Sequence, residues 1–502
     1  MSTDSKNEKV RGNIEAQDQD PIAERYETVI GLEVHVQLGT RTKLFCGCEN
    51  RFGAPPNTLT CPICSGHPGV LPVPNRQALR LGILAALSLD CDIQEHCKFD
   101  RKHYYYPDLP KGYQISQFDL PFALNGGVRL SSGKVIGLER IHLEEDAGKN
   151  LHADGHSHVD LNRAGVPLIE IVGMPEIRSP EEAHDYLESL KRSMRYAGVS
   201  ECDMEKGSLR CDANISLRQH GASEFGTKVE IKNLNSFKKV VAALQYERKR
   251  QAACLDRGEP IHQETRLFDD ASQQTRVMRT KEEAMDYRFF PEPDIPPFEI
   301  STTEIEVLRP LLPERHWERR ARFMQEAGLG EYDSMVLTLE QETADYFEAA
   351  WKALGPSQEE AKLTANWVMT EVLRLSNEKG LPLSKLPIDP GTLASLCRLI
   401  QEGKASNQAA RKVFKHMAET GDSPEKALEE LGLAQISDPA ELEPIVQKVI
   451  ENSKKAVKDY FKGKKKALDA MKGGVMRETR GRANPGLVSE ILLRLLENLR
   501  EK

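Results

Sequence analysis

YETVIGLEVHVQL, residues 26–38, decides how the first half of this 502-residue chain folds. Ile30, Leu32, Val34, Val36 and Leu38 take every second position, with Gly31, Glu33, His35 and Gln37 between them. A period of two is a strand with one apolar face. Glu33 and His35 then share the other face, about 7 Å apart. Four more stretches continue the pattern. RCDANISLR (210–218) alternates Cys211, Ala213, Ile215 and Leu217 with Arg210, Asp212, Asn214, Ser216 and Arg218. KVEIK (228–232) sets Lys228, Glu230 and Lys232 on one face, and RIHLEED (140–146) sets His142 and Glu144 opposite Ile141 and Leu143. VPLIEIV (166–172) carries Glu170 alone inside an apolar run. One-faced strands in this number are expected to form an antiparallel sheet.

A solvated sheet face accounts for charges at alternate positions. It accounts poorly for Glu170, because a carboxylate among Leu168, Ile169, Ile171 and Val172 is costly to bury without a cation or donor. The second reading is a cup in which Glu33, His35, Glu144, Glu170 and Asp212 converge. Ligands that are mostly carboxylates select a hard cation, Mg²⁺ or Mn²⁺, and such cations bridge nucleotide phosphates. No Walker A motif, Gly-x-Gly-x-x-Gly loop or Gly-x-Ser-x-Gly elbow is present to name a nucleotide or nucleophile site directly.

Between these strands lies CGCENRFGAPPNTLTCPICSGHPG (46–69). Cys46 and Cys48 are separated by twelve residues from Cys61 and Cys64. Four thiolates suit tetrahedral Zn²⁺ and leave no position open for water, so the zinc expected here is structural; two turns with free thiols are the alternative. Cys91, Cys97, Cys202, Cys211, Cys254 and Cys397 are scattered and read as small core residues. HADGHSH (152–158) reads as a solvated loop. DRKHYYYPDLPKGYQIS (100–116), with Arg101, Lys102 and Lys111, is either an aromatic layer with a turn or a cationic channel.

The length allows roughly three or four domains of about 150 residues. No apolar run approaches the ~18 residues that cross a bilayer, and the polar start MSTDSKNEKVRGNIEAQDQDP has no apolar core of a signal peptide. The expectation is a soluble, cytoplasmic protein with reduced thiols, no membrane partner and a disordered N-terminal tail. The text is strand-rich from about 26 to 290 and helical from about 300, with the proline-rich PEPDIPPFEI (291–300) between. Asp389-Pro390, Ser423-Pro424, Asp438-Pro439 and Asn484-Pro485 are helix starts with proline at the first position. Residues 454–482 hold eight Lys and three Arg against three acids, within a chain of net charge −8. Phosphate contact by a basic segment opened by Gly473-Gly474 and Gly481 is one reading, and a solvated helix is the other.

Taken together, IGLEVHVQL, CGC…CPIC, YYYPDLPKGYQISQ, HLEEDAGK, VDLNRAGVPLIEIV, SLRCDANISLR and KVEIKNLNSF closely resemble the B-subunit family of the tRNA-dependent amidotransferases that act on aspartyl- and glutamyl-tRNA. The resemblance spans roughly residues 26–500. It implies an α+β fold: a cradle domain related to glutamine synthetase, built on an antiparallel sheet and bearing a zinc knuckle, then all-α helical and YqeY-like tail domains. Joined to the breaks above, it divides the chain into an N-terminal tail (1–21), a catalytic cradle (22–297) with its knuckle (46–64), a helical domain (298–405) and a tRNA-binding tail domain (406–502). It implies ATP, Mg²⁺ and structural Zn²⁺ as cofactors. The implied partners are an amidase, the A subunit, which releases ammonia; a small protein, the C subunit; and misacylated Glu-tRNA(Gln) or Asp-tRNA(Asn). Glu33, His35, Glu144, Glu170 and Asp212 match the kinase site, with the first four as magnesium ligands. Lys102 and Lys111 match positions near the channel, and Cys46, Cys48, Cys61 and Cys64 the knuckle. Lys464, Lys465, Lys466, Arg480 and Arg482 are the basic residues expected to meet tRNA. Two rivals remain at this point: a stand-alone ATP-dependent ligase of a free amino acid, and a non-catalytic zinc-containing RNA-binding protein.

Overall fold

The computed structural model describes residues 20–153, 155–280, 287–436, 438–464, 466–479 and 481–500. Residues 1–19 of the expected tail, together with Lys465 and Arg480, lie outside the described residues. Asp20, assigned to that tail from the sequence, is ion-paired with Arg248 and accepts from the Ile22 and Ala23 amides. The chain separates into two units, Met1–Arg315 and His316–Lys502.

The first unit is built on a ten-stranded sheet. Its main strands are β1 (Tyr26–Gln37), β2 (Val135–Glu145), β3 (Pro167–Gly173), β4 (Leu209–Gln219), β5 (Val229–Leu234), β6 (Glu264–Asp269) and β7 (Gln274–Thr280). They run in the order β7-β6-β5-β4-β1-β3-β2, which the short strands Ala123–Leu124 and Asp92–Ile93 extend. The four further stretches read as one-faced strands are thus β2 to β5, and β1 sits among them. Three helices, α1 (Arg76–Ser88), α2 (Pro180–Tyr196) and α3 (Phe237–Asp256), cover the apolar face. Ile30, Leu32, Val34 and Val36 are 0 % exposed and pack with Ile83, Tyr186, Leu187, Leu190 and Leu244 in one core. One covered face and one polar face follow directly from the period of two.

The sheet departs from the antiparallel expectation at one place. β5 and β6 are parallel. Parallel neighbours need a crossover, and α3 supplies it: Ser236 caps the helix by accepting from the Lys239 amide, and twenty residues return the chain to the same edge. The HADGHSH stretch also differs from a plain loop, because Lys149–Ala153 and His156–Asp160 pair as an exposed hairpin. The prolines of 291–300 lie within the first unit, where Phe290–Pro291 pairs with Arg101 and Asp100 and Phe298–Glu299 with Cys97 and His96.

The second unit is helical. One core gathers Phe323, Phe347, Trp351, Leu393, Leu396 and Phe414. Another gathers Leu442, Val446, Met471, Val475, Ile491 and Leu496 from the last helices. All four Xaa-Pro starts are helix caps. Asp389 accepts from the Thr392 amide, Ser423 from Lys426, Asp438 from Ala440, and Asn484 from Gly486 and Leu487. Asp389→Ala is expected to cost about 1 kcal/mol. That is a fall of about 2–4 °C in the thermal midpoint of this unit. An unchanged midpoint in calorimetry would show that the cap is not limiting. Among the described residues, no helix is long and apolar enough to cross a membrane.

Candidate active site

The polar face of the sheet is assembled by register. β4, β1, β3 and β2 align Arg210, His35, Glu170 and His142 directly across from one another. Opposed residues on antiparallel strands point to the same side, so these four side chains form one row. The neighbouring positions add Glu33 opposite Asp212 and Leu168 opposite Glu144. The row floors a cavity of about 720 Å³ that is also lined by Lys102, Arg140, Asp146, Lys228, Glu230 and Lys232.

His35, Glu144 and Glu170 form the centre. His35 Nε2 lies 3.4 Å from Glu144 Oε1 and 3.4 Å from Glu170 Oε2. His142 Nε2 lies 3.4 Å from the same Glu170 oxygen and 3.8 Å from Glu144 Oε2. Glu144 is 2 % exposed, and its Oε2 has no hydrogen-bond partner. One nitrogen and two carboxylate oxygens therefore fall within 4.8 Å of one another, with an unsatisfied buried acceptor among them. That donor set fits a hard divalent cation that keeps open positions for further oxygens.

Charge at this centre is finely opposed. Burial pulls both imidazoles down, but Glu144 and Glu170 outweigh it, holding His35 above its ordinary value and His142 at about 9. Burial pushes Glu170 up, and the two histidines more than reverse it, so its carboxyl sits well below the usual range. Glu33 goes the other way. Burial raises it, and the nearby carboxylates of Glu170, Asp212 and Glu230 raise it further.

The remaining expected residues fall in different places. Glu33 lines the cavity, and its Oε1 accepts from Asn214 Nδ2 at 3.0 Å rather than joining the three-group centre. Asp212 lines the cavity and is ion-paired at 2.7 Å with Lys232, which also meets Glu230 at 3.0 Å. Lys102 lines the cavity, 4.8 Å from the Tyr287 ring centroid. Lys111 instead pairs with Glu145 and lines a small cavity beside Phe45, Cys46 and Cys64. Sequence reasoning did not put His142, Arg210 or Asp146 in the cup. The signal was present for the first two, since each shares the parity of a named neighbour. Asp146 follows the end of β2, and only the fold shows Arg210 Nη2 on it at 2.9 Å and Gln37 Nε2 at 3.0 Å.

The four cysteines converge as their spacing requires, with sulfurs within 4.8 Å of one another. The Cys61 amide donates to Cys64 Sγ at 3.2 Å. Cys46 lowers the Cys64 thiol most, burial opposes it, and the Cys61 amide and Lys43 add to the lowering, so the thiol falls to about 4. A complete tetrathiolate with a preformed amide donor fits a zinc knuckle.

In the basic tail, Lys464 is exposed and pairs with Asp459 at 3.1 Å, and Arg482 Nε donates to the Thr479 carbonyl at 3.4 Å. Lys466 begins the helix Lys466–Glu478. Gly473 and Gly474 do not open a loop. They lie inside that helix, where a Cβ on Gly474 would come within 2.9 Å of Val449 Cγ1, so close helix packing explains this glycine. Gly463, at φ 82°, and Gly481, at φ 79°, are the turn glycines of the segment.

A mixed sheet with acids and imidazoles gathered on its polar face, followed by a helical C-terminal part, carries matches to two family models. Residues 28–306 match the GatB/GatE catalytic domain, and residues 345–496 match the GatB domain. The B subunit of the aspartyl/glutamyl-tRNA(Asn/Gln) amidotransferase from Carboxydothermus hydrogenoformans is 52% identical over 93% of this chain and 98% of its own length. The proteins of that name from Brevibacillus brevis and Persephonella marina are 49% and 50% identical, over 95% and 94% of this chain and 100% of their own lengths. The chain belongs to the GatB family, the B subunits of the tRNA-dependent amidotransferase.

Proposed function

We propose that this chain uses ATP and Mg²⁺ to phosphorylate the side-chain carboxylate of Glu-tRNA(Gln), Asp-tRNA(Asn) or both, and then directs ammonia onto the activated acyl group to give Gln-tRNA(Gln) or Asn-tRNA(Asn). The observation that carries the reading is the His35, Glu144 and Glu170 centre on the cavity floor, with a buried Glu144 oxygen that accepts no hydrogen bond. A carboxylate is a poor electrophile, and phosphorylation provides it with a leaving group. Held by His35, Glu144 and Glu170, with Glu33 next to them, Mg²⁺ would neutralise charge on the transferred phosphoryl group. The protein groups do the positioning. His142, 3.4 Å from Glu170 Oε2, keeps that carboxylate ionised. Asp146, gripped by Gln37 and Arg163, fixes the Arg210 guanidinium on the wall. Lys232 holds Asp212 and Glu230 apart from the centre. Rigid strands keep these groups within the tolerance that phosphoryl transfer needs.

The same reading makes the Cys46, Cys48, Cys61 and Cys64 cluster a structural zinc site. Ammonia comes from an amidase, the A subunit; the third protein of the complex is the small C subunit; and the place of action is the cytoplasm. Lys102, on the cavity wall, and Lys111, beside Glu145, stand along the route of substrate or ammonia. The test supplies free ammonia and follows ADP. ADP and amide should both form only with misacylated tRNA. ADP formed equally well with free glutamate would make the chain a stand-alone ligase, and no ADP with any acyl-tRNA would make it a non-catalytic RNA-binding protein.

The tail domain in this reading grips tRNA through Lys464, Lys465, Lys466, Arg480 and Arg482 by phosphate contacts that are largely independent of sequence. Changing Lys464, Lys465 and Lys466 together to Gln is expected to weaken tRNA binding and raise the KM for aminoacyl-tRNA. The slope of log affinity against log salt should flatten by about one unit for each phosphate interaction removed, close to the value of about 0.9 for duplex DNA. Rates at saturating tRNA should hold. Equal slopes for the wild type and the triple variant would make the charge a matter of solubility.

A further inference from the structure

Lys43 is 0 % exposed, an unusual position for a lysine. Its Nζ lies 3.5 Å from Cys64 Sγ and 3.2 Å from the Leu161 carbonyl. Neither acceptor is a carboxylate, and an ammonium buried without a counter-charge is costly. The surroundings supply one. Four thiolates around Zn²⁺ leave a surplus of negative charge, and Lys43 stands at the inner wall of that cluster.

The backbone around it is equally committed. The Lys43 amide donates to the Cys48 carbonyl at 2.9 Å, and Leu44 donates to Gly165 at 2.8 Å. Across the gap, the turn at 159–166 is held by the knuckle from its other side. Leu161 donates to Asn57 Oδ1 at 2.8 Å, Leu59 to Asn162 Oδ1 at 2.8 Å, and Asn162 Nδ2 to the Pro55 carbonyl at 2.7 Å. The same turn runs into the cavity wall, where Gly165 donates to the Asp146 carbonyl at 2.9 Å and Asp146 to the Val166 carbonyl at 2.8 Å.

We propose that Lys43 is the resident counter-ion of the Cys46, Cys48, Cys61 and Cys64 zinc site. Through the Leu161 carbonyl, it also ties that site to the turn whose Gly165 and Val166 pair with the Asp146 backbone. The proposal rests on the zinc reading given above. Lys43 is a positioning residue: it donates to a metal-bound sulfur and touches no substrate. A donor at that distance stabilises the thiolate without competing for the metal. Arg in its place keeps the charge, and Met keeps the apolar stem and loses it.

The experiment measures zinc content and the rate of zinc transfer to a colorimetric chelator, on the full chain. Wild type should hold one zinc. K43M should release it about 10-fold faster or more, and K43R should stay close to wild type. Cys64→His removes one negative charge from the cluster, so adding K43M in that background should accelerate release less than about threefold. If K43M alone does not fold, the double variant should, and failure of both would overturn the proposal. Release from K43M at the wild-type rate, or the same acceleration in both backgrounds, would overturn it while leaving the zinc reading intact. Wild-type protein without zinc would overturn both.

Discussion

Glu144→Gln and His35→Ala should each abolish amide formation even when free ammonia is supplied. Activation precedes attack, so an enzyme that cannot phosphorylate the acyl carboxylate gains nothing from more nucleophile. Glu144→Gln keeps the shape of a side chain that is 2 % exposed while removing the charge that His35 faces at 3.4 Å. Loss of one preorganised charge at the site of transfer should lower the rate by about 10²–10³-fold. ADP formation should fall in parallel, since both products depend on the same centre. Stability should move less than activity, because Gln keeps the shape of Glu144 and Glu170 still faces both imidazoles. Asp212→Asn is the informative contrast. Asp212 is paired at 2.7 Å with Lys232, so its loss leaves that lysine with Glu230 alone as well as removing an acid. Free ammonia restoring Glu144→Gln or His35→Ala to the wild-type rate would move these residues to ammonia delivery and refute the proposed role.

Cys61→Ser should have its main effect on stability. The tetrathiolate closes a knuckle that has little apolar content of its own: Phe52 is 71% exposed, and Cys64 is the only one of the four cysteines that is buried. A structural metal supplies the folding energy that such a segment lacks. Loss of one sulfur ligand should therefore lower the thermal midpoint by roughly 5 °C, equivalent to about 3 kcal/mol for a unit of this size. Specific activity of the protein that remains folded should fall less, because no cysteine lines the large cavity. Chelation of the wild type should reproduce the shift, and metal analysis should find one zinc per chain. Wild-type protein that carries no zinc and keeps full stability would remove zinc from the account.

Much of the site was legible because strand parity is local. Glu33 with His35, His142 with Glu144, and Arg210 with Asp212 share faces whatever the rest of the chain does, since alternate side chains of a pleated strand must point the same way. Glu170 was conspicuous for the same reason, as a charge on a strand whose neighbours are all apolar. The knuckle was legible from spacing and the helix starts from Asp-Pro, Ser-Pro and Asn-Pro, because metal chelation by near neighbours and N-capping also act over a few residues. The Gly473-Gly474 reading failed because a glycine inside a helix and a glycine in a loop look alike until Val449 is seen against Gly474.

What a single strand cannot carry is the identity of its neighbours. Pairing β1 with β3 and β4, and β3 with β2, is decided by burying apolar faces under α1, α2 and α3, and by connections of tens of residues. Only that pairing aligns Arg210, His35, Glu170 and His142, brings His142 to Glu170 and turns Glu33 toward Asn214, and the pairing of β4 with β5 gives Asp212 to Lys232. The parallel β5–β6 pair and the buried Lys43 against Cys64 are of the same kind. The sequence by itself determined which residues face the same way, where the four clustered sulfurs lie and where helices begin. The tertiary structure alone decided which of those faces meet, because contacts between distant segments are chosen by the packing of the whole unit and not by any one stretch of it.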